Sequence, residues 1–184
     1  MTSIKTHLYV TARIPMSQGY ILDLGCGQGI FGVIMKASKR KAEIVGVDLY
    51  LPNLNIAKKT YDHVVYADAS FLPFKQKIFM YTVMIEVIEH LLEEKAKQTL
   101  VNLESLTKGT IIITTPNGFK PREPDDENIY QKHLSGWSFL KLKKMGFKVR
   151  GLAIYSRLYL FIPQFLTWYL TLFADTLMGI KKVA

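Results

Sequence analysis

The sequence predicts an α/β fold in which a mainly parallel, doubly wound sheet carries helices on both faces. Strand-like and helix-like segments alternate along the chain, and a glycine-rich turn links the first strand to the helix that follows it. With 184 residues, of which 49% are hydrophobic, the chain can build one substantial core. We therefore expect residues 1–184 to form a single domain.

The first strand, the turn and the first helix are predicted from residues 20–38. Residues 20–24 form an apolar run of the kind that a buried parallel strand requires. Gly25, Gly27 and Gly29 follow at alternate positions, where backbone with positive φ can approach a ligand closely. Residues 30–38 are predicted to form a helix whose N-terminus points at this turn. Together the three elements predict a cradle for a nucleotide.

The remaining elements follow in alternation. Further strands are expected near 43–48, 62–67, 78–84 and 109–115, with a sixth after Gly146, and further helices near 53–60, 91–106 and 135–145. The segment 117–132 contains two prolines and a run of acids, and it is the longest irregular stretch. Long loops beyond strand ends commonly carry function, so we expect this loop to contribute to a site.

Composition narrows the function classes. Cys26 is the single cysteine, which excludes an internal disulfide and suits a reducing compartment. The first 15 residues lack the apolar region of a secretory signal, so we expect a cytoplasmic protein. The net charge of +9 favours nucleic acid, anionic lipid or acidic substrates, although a solvated lysine-rich face explains it equally well. No interleaved arginine–aromatic pattern of an RNA-binding platform is present.

An apolar segment near the end of the sequence, 157–176, has three interpretations. Seventeen residues without a charge lie between Arg157 and Asp175, which is at the lower limit for a membrane span. Pro163 interrupts the segment, and polar residues then recur every three or four positions, at Gln164, Thr167, Thr171 and Asp175. This narrow polar stripe favours a helix that packs on the domain as a structural or lid element, or one that lies in a membrane interface, over a spanning helix.

The spacing of the glycine turn selects among nucleotide cofactors. The turn is D-x-G-x-G-x-G, beginning at Asp23, whereas dinucleotide-binding turns usually are G-x-G-x-x-G. The second strand ends at Asp48, 19 positions after Gly29, where an acid can accept hydrogen bonds from both ribose hydroxyls of an adenosine. At this point the chain resembles the class I S-adenosylmethionine-dependent methyltransferases. The alternatives are a dehydrogenase or a plain tight turn in an α/β core.

The resemblance implies a Rossmann-like, seven-stranded sheet with an antiparallel last strand, and the apolar segment 157–176 would be an insertion before that strand. It also implies S-adenosyl-L-methionine as the cofactor. Its binding residues would come from the glycine turn, from the ends of the second and third strands, and from the end of strand four: Asp23, Gly25, Cys26, Gly27, Gly29, Asp48, Leu49, Asp68, Ala69, Ile85 and Glu86.

Further motifs point to a subgroup. Residues 71–74 (F-L-P-F), 86–90 (E-V-I-E-H) and 115–117 (T-P-N) resemble the methyltransferase type 11, ubiquinone-biosynthesis group, and the last two motifs are shared with small-RNA 2′-O-methyltransferases. The chain departs from the pattern at Phe79-Met80 and at 107–110. Only about 20 residues precede the first strand, so the helix that often closes over the cofactor is expected to be short or absent.

Two carboxylates and two histidines form the candidate catalytic and metal groups. The resemblance to the small-RNA enzymes implies that Glu86, Glu89, His90 and His133 hold a divalent ion, and such donors suit Mg²⁺, Mn²⁺ or Zn²⁺. In the alternative without metal, Glu89 complements a helix N-terminus, Glu86 lines the cofactor pocket and His90 orients the substrate. His90 and His133 are also the best candidates for a general base.

Three functions are compatible with these observations. The first is a methyltransferase that acts on an oxygen of an apolar or membrane-associated small molecule, with residues 157–180 as a contact to the membrane surface. The second is a metal-dependent RNA 2′-O-methyltransferase, for which no RNA-binding appendage is evident. The third is a non-catalytic S-adenosylmethionine-binding subunit that regulates a partner. The oligomeric state is not predicted.

Overall fold

A computed structural model describes residues 4–15, 19–38, 41–124, 128–152, 171 and 174–183. Seven strands lie within these ranges: β1 (Gly19–Leu24), β2 (Ala42–Asp48), β3 (His63–Tyr66), β4 (Phe79–Ile85), β5 (Thr107–Pro116), β6 (Lys148–Leu152) and β7 (Thr176–Lys182). The described α-helices are α1 (Ile4–Thr11), α2 (Ile30–Ala37), α3 (Leu51–Ala57), α4 (Glu93–Leu106) and α5 (Phe139–Lys144). Short 3₁₀ helices occupy Ile88–His90 and Ile129–Gln131.

The strands form one sheet in the order β3-β2-β1-β4-β5-β7-β6. The first five strands pair in parallel, and β7 pairs antiparallel with both β5 and β6. The strand order reverses between β1 and β4, which makes the carboxyl edge at this point the place where α/β sheets bind ligands. The predicted fold class is confirmed, including the antiparallel last strand.

Alternate side chains of each strand feed two separate cores. On one face, Leu22 of β1 and Val45 of β2 pack with apolar residues of α4 and α5. On the other face, Ile21 and Ile44, their neighbours along the same strands, pack with residues of α1, α2 and α3. Because consecutive strand residues point to opposite faces, the continuous apolar runs of β1 and β2 are those of strands buried on both sides. The prediction of helices on both faces is therefore confirmed.

Local signals explain where the helices differ from the expected ranges. α3 begins at Leu51, two residues before the expected start, and Pro52 occupies its first turn, where a missing N–H costs nothing. α5 begins only at Phe139 because the Ser138 hydroxyl accepts the Lys141 N–H and caps the helix. α1 is the short helix that precedes the first strand, with eight residues, and Val10 buries completely against the second core.

Most of the predicted apolar helix over 157–176 lies outside the described residues. At its end, the Thr171 hydroxyl accepts the N–H of Gly151 at 3.2 Å, and Ala174 is buried against that same glycine of β6. Across the ranges that the structure describes, no helix combines the length and the hydrophobicity that crossing a bilayer requires. The expectation of one domain over residues 1–184 stays a prediction.

Candidate functional site

A cleft of about 790 Å³ opens at the carboxyl edge of the sheet, where the strand order reverses. It is lined by the residues that follow β1, β2, β3 and β4, together with residues 122 and 128–134. His7 of α1 also reaches the cleft, so the short N-terminal helix contributes to it. Of the residues predicted to bind cofactor, substrate or metal, all except Asp23 and Gly29 line this cleft.

The glycine turn adopts backbone conformations that side chains disfavour. The φ angles of Gly25, Gly27 and Gly29 are +75°, +52° and +94°. The N–H groups of Gly25 and Cys26 donate to the Val47 carbonyl at 2.7 and 2.9 Å, which fixes the turn to the end of β2. A Cβ at Gly25 would overlap Val87, whereas a Cβ at Gly27 would meet no atom within 4 Å. Glycine is thus required at the first position by both space and backbone geometry.

Asp48 connects the second strand to the same turn. Its carboxylate accepts the Gly27 N–H at 2.8 Å and the Tyr50 N–H at 2.8 Å. Burial raises the pKa of Asp48, and these backbone donors act in the opposite direction. The Asn53 side chain and the Leu49 N–H also donate to this carboxylate, which lines the cleft.

Asp23 lies beneath the turn instead of in the cleft. It is 2% exposed, and the Tyr61 hydroxyl donates a short hydrogen bond to its carboxylate. The same hydroxyl accepts the Gly32 N–H at 3.2 Å. Burial raises the pKa of Asp23 to about 7, while the Tyr61 hydrogen bond lowers it. Asp23 was expected to contact the cofactor, but in this structure it supports the turn from behind. Gly29 likewise lies behind the cleft, as the residue that begins α2.

Asp68, which was expected to contact the adenine, and Glu86, which follows β4, also line the cleft. The Asp68 carboxylate accepts the Ser70 N–H at 2.7 Å, which leaves its second oxygen for a ligand. Glu86 adopts a φ of +54°, unusual for a residue with a side chain, and its N–H donates to the Thr114 carbonyl at 3.0 Å. The buried Oε1 of Glu86 has no hydrogen-bond partner among the residues described, and burial raises the pKa of this carboxyl. Backbone strain and an orphaned oxygen at one residue are typical of a functional position.

Glu89, His90 and His133 form a compact group in the cleft. One ligand atom from each lies within 4.8 Å of the other two. The Thr115 hydroxyl donates to Glu89 at 3.0 Å, and burial followed by the charge of Glu86 raises the Glu89 pKa to about 8. Glu86 is not in this group, although its side chain lines the same cleft. Glu89 precedes α4 by four residues and does not complement the N-terminus of that helix.

Both histidines line the cleft, and a backbone carbonyl holds one ring nitrogen of each. Nδ1 of His90 lies 3.0 Å from the Lys132 carbonyl, and Nδ1 of His133 lies 2.6 Å from the Lys120 carbonyl. A carbonyl can only accept, so each Nδ1 carries the proton and each neutral ring keeps a lone pair on Nε2. Burial lowers the pKa of both imidazoles, which favours the neutral form. This arrangement can serve either a general base or a metal ligand.

Several functional candidates were not singled out from the sequence. Arg122, Tyr130 and Leu134 line the cleft from the long loop, and His7 does so from α1. The length and composition of the loop indicated that it contributes to a site, but nothing in its sequence indicated which side chains face inward.

Comparison with known proteins identifies the domain. A family model described as a methyltransferase domain matches residues 21–109, the stretch that contains the glycine turn, Asp48 and Glu86. This match and the fold support a class I S-adenosylmethionine-dependent methyltransferase, as the sequence predicts. S-adenosylmethionine is accordingly the cofactor of this domain. The individual roles of the cleft residues remain predictions.

Three similar proteins illustrate the range of the fold. An uncharacterized protein of Methanocaldococcus jannaschii is 44% identical over 61 residues, which is 33% of this chain and 22% of that protein. The chain therefore spans about a fifth of the length of this curated relative. The magnesium protoporphyrin IX methyltransferase of Synechocystis, with bound S-adenosylmethionine, superposes with a TM-score of 0.64 and 16% identity over 98% of this chain and 79% of that one.

A small RNA methyltransferase is also similar in structure. Its TM-score is 0.71 at 16% identity, and the match covers 96% of this chain and 24% of that chain. At such identities the structural likenesses show a shared fold, which hosts acceptors as different as a porphyrin and an RNA. The fold of this chain is thus one that methyltransferases use, and the fold alone does not specify the acceptor.

Proposed function

We propose that this domain transfers the methyl group of S-adenosylmethionine to an oxygen of an apolar or membrane-associated small molecule. The observation that carries the proposal is the pair of histidines that line the cleft together and whose Nδ1 atoms are held by backbone carbonyls. A hydroxyl acceptor needs a base that is neutral near physiological pH, and an imidazole with a lowered pKa fits this need.

In this proposal the cofactor lies along the edge that follows β1 to β4. The glycine turn contacts its methionine part, the Asp48 carboxylate accepts the ribose hydroxyls, and Asp68 lies at the adenine. The cofactor supplies a methyl group already activated by a sulfonium, so positioning of the acceptor provides much of the rate. His90 or His133 then takes the proton of the acceptor hydroxyl through Nε2.

The apolar character of the acceptor rests on the loop side of the cleft. Ile129, Tyr130 and Leu134 line it with exposed fractions of 69%, 45% and 45%. Large apolar side chains that remain exposed around a cavity favour an apolar ligand. Contact with a membrane surface rests on residues 157–180, most of which lie outside the described ranges, and a cytoplasmic, membrane-peripheral location remains a prediction.

The test uses radiolabelled S-adenosylmethionine and a lysate of the source cells, followed by separation of RNA, protein and solvent-extractable fractions. We expect label in the solvent-extractable fraction with the unchanged protein and with Glu43→Gln, a control that removes an exposed acid at the opposite end of β2. We expect loss of that label with the double variant His90→Ala/His133→Ala. Label confined to RNA or protein would contradict the small-molecule proposal.

One observation favours a second candidate, a metal-dependent RNA 2′-O-methyltransferase. Glu89, His90 and His133 offer one carboxylate oxygen and two imidazole nitrogens within 4.8 Å, a donor set that fits Mn²⁺ or Zn²⁺ and, with added waters, Mg²⁺. An ion held by these residues would bring an acceptor hydroxyl close and lower its pKa. The net charge of +9 also suits RNA.

Removal of metal separates the two candidates. For the RNA enzyme, chelation with EDTA abolishes transfer, and Mn²⁺ or Mg²⁺ restores it in a manner that requires Glu89. For the small-molecule enzyme with a histidine base, chelation leaves transfer unchanged. Cofactor binding without transfer to any fraction would instead support the third alternative, a non-catalytic subunit that binds S-adenosylmethionine.

A further inference from the structure

Arg122 differs from the other cations of its loop. The Lys120 ammonium pairs with Asp175 at 3.3 Å, and the Lys132 ammonium pairs with Glu123 at 3.5 Å. The guanidinium of Arg122 has neither an acidic partner nor a hydrogen-bond acceptor in the part of the chain that the structure describes, yet the residue is half-buried and lines the cleft. A guanidinium offers five N–H donors, so an arginine at the wall of a cavity can bind a ligand there.

Arg122 lies at the acceptor end of the cleft rather than at the cofactor end. Its carbonyl accepts the His133 N–H at 3.1 Å, which fixes its backbone next to the histidine pair. Arg122, Glu89, His90 and His133 all line the same cleft.

We propose that Arg122 binds an oxyanion of the methyl acceptor, a carboxylate or a phosphate, and thereby fixes the acceptor hydroxyl beside His90 and His133. The inference rests on the proposed methyl transfer to oxygen and specifies its substrate class. Guanidinium is planar and always charged, and its paired N–H donors match the two oxygens of a carboxylate or phosphate.

The remaining wall of the cleft defines the rest of the acceptor. Ile129, Tyr130 and Leu134 are apolar and exposed on the same loop, so they contact a hydrophobic body while Arg122 binds the charge. The net charge of +9 attracts an anionic acceptor from solution. The acceptor is therefore an amphipathic acid that carries a hydroxyl near its charged group.

The experiment measures binding to the protein loaded with S-adenosylhomocysteine, in which no transfer occurs. Ligand-observed NMR gives the dissociation constants of two matched pairs: salicylate against phenol, and glycerol 3-phosphate against glycerol. The variants are Arg122→Gln, Arg122→Lys and the control Lys108→Gln. Lys108 is exposed at the amino end of β5, at the opposite edge of the sheet, so its loss changes the net charge equally without touching the cleft.

We expect the anionic member of at least one pair to bind about tenfold more tightly than its neutral partner, as charge-assisted hydrogen bonds provide. Arg122→Gln should bring that ratio close to one, Arg122→Lys should retain part of it, and Lys108→Gln should leave it unchanged. Selectivity in the first pair identifies a carboxylate and selectivity in the second a phosphate.

A ratio near one for both pairs in the unchanged protein, or an unchanged ratio in Arg122→Gln, would overturn the inference, as would absence of binding in both pairs. Failure of the proposed function has a different signature, because it appears as absent S-adenosylhomocysteine binding or absent methyl transfer. Thermal unfolding of Arg122→Gln, matched to Lys108→Gln, shows that the fold is intact.

Discussion

The buried pair of Tyr61 and Asp23 offers a sharp test of how the glycine turn is supported. Tyr61→Phe removes one oxygen and with it two interactions: the donor to the Asp23 carboxylate and the acceptor of the Gly32 N–H. Tyr61 is 4% exposed, so water cannot readily replace either interaction. Losing a hydrogen bond to a charged group costs about 1.5–3 kcal/mol, and an orphaned buried donor costs about 1–3 kcal/mol. We expect the variant to lose roughly 3–5 kcal/mol of unfolding free energy.

The cost should depend on pH in a defined direction. The pKa of Asp23 is raised from 3.8 to about 7 in the folded protein, so the folded state holds a proton that the unfolded state has released between these values. The stability contributed by Asp23 is therefore lost as the pH rises through this window. Because the Tyr61 hydrogen bond lowers the Asp23 pKa, its removal extends the loss to higher pH. Tyr61→Phe should consequently be more destabilising at pH 8 than at pH 5.

Urea unfolding at pH 5 and pH 8 measures both effects, and the double variant Tyr61→Phe/Asp23→Asn is the control. In the Asp23→Asn background the carboxyl no longer titrates, so the cost of Tyr61→Phe should be equal at the two pH values. The reasoning is refuted if Tyr61→Phe alone costs less than about 1 kcal/mol at pH 8, or if its cost does not change with pH.

Two further predictions concern the cofactor edge. Gly25→Ala and Gly27→Ala both place a side chain at positive φ, which costs about 1–2 kcal/mol, but only Gly25→Ala also forces Val87 to move. We expect Gly25→Ala to destabilise the fold by about 1–3 kcal/mol more than Gly27→Ala in chemical denaturation, and equal midpoints would contradict the steric reasoning. Asp48→Ala should weaken S-adenosylmethionine binding about tenfold or more in calorimetry, because charge-assisted hydrogen bonds are lost. An exposed acid, Glu43→Ala, serves as its control, and unchanged affinity in Asp48→Ala would remove the ribose assignment.

The cofactor edge could be predicted from sequence because its signals are local. The strand, the glycines and the helix are contiguous, and Asp48 is recognisable as the acid that ends the next strand. Tyr61 could not be recognised in the same way, because it reaches Asp23 across 38 positions and no pattern marks the contact. Local sequence patterns therefore predict the turn but not the distant side chain that supports it.

The residues that are proposed to bind the methyl acceptor could be predicted only in part. The order of the acids and histidines, taken with the resemblance, indicated that Glu86, Glu89, His90 and His133 come together. The last three do, whereas Glu86 lies outside their group. The left-handed backbone of Glu86 gave no signal, since glutamate is not a residue that favours positive φ. Arg122 was missed because an irregular loop has no periodicity from which to infer which side chains face a cavity.

The position of β7 has a consequence for the order in which the chain can fold during synthesis. β6 pairs with β7 alone among the described strands, and β7 also covers the free edge of β5. On the ribosome, β5 and β6 therefore emerge before the strand that joins them. The interval between them includes the apolar stretch that precedes β7, so a nascent chain paused there exposes unpaired strand edges together with hydrophobic sequence. A ribosome that stalls before residue 176 would leave a chain that is prone to aggregate and depends on chaperones.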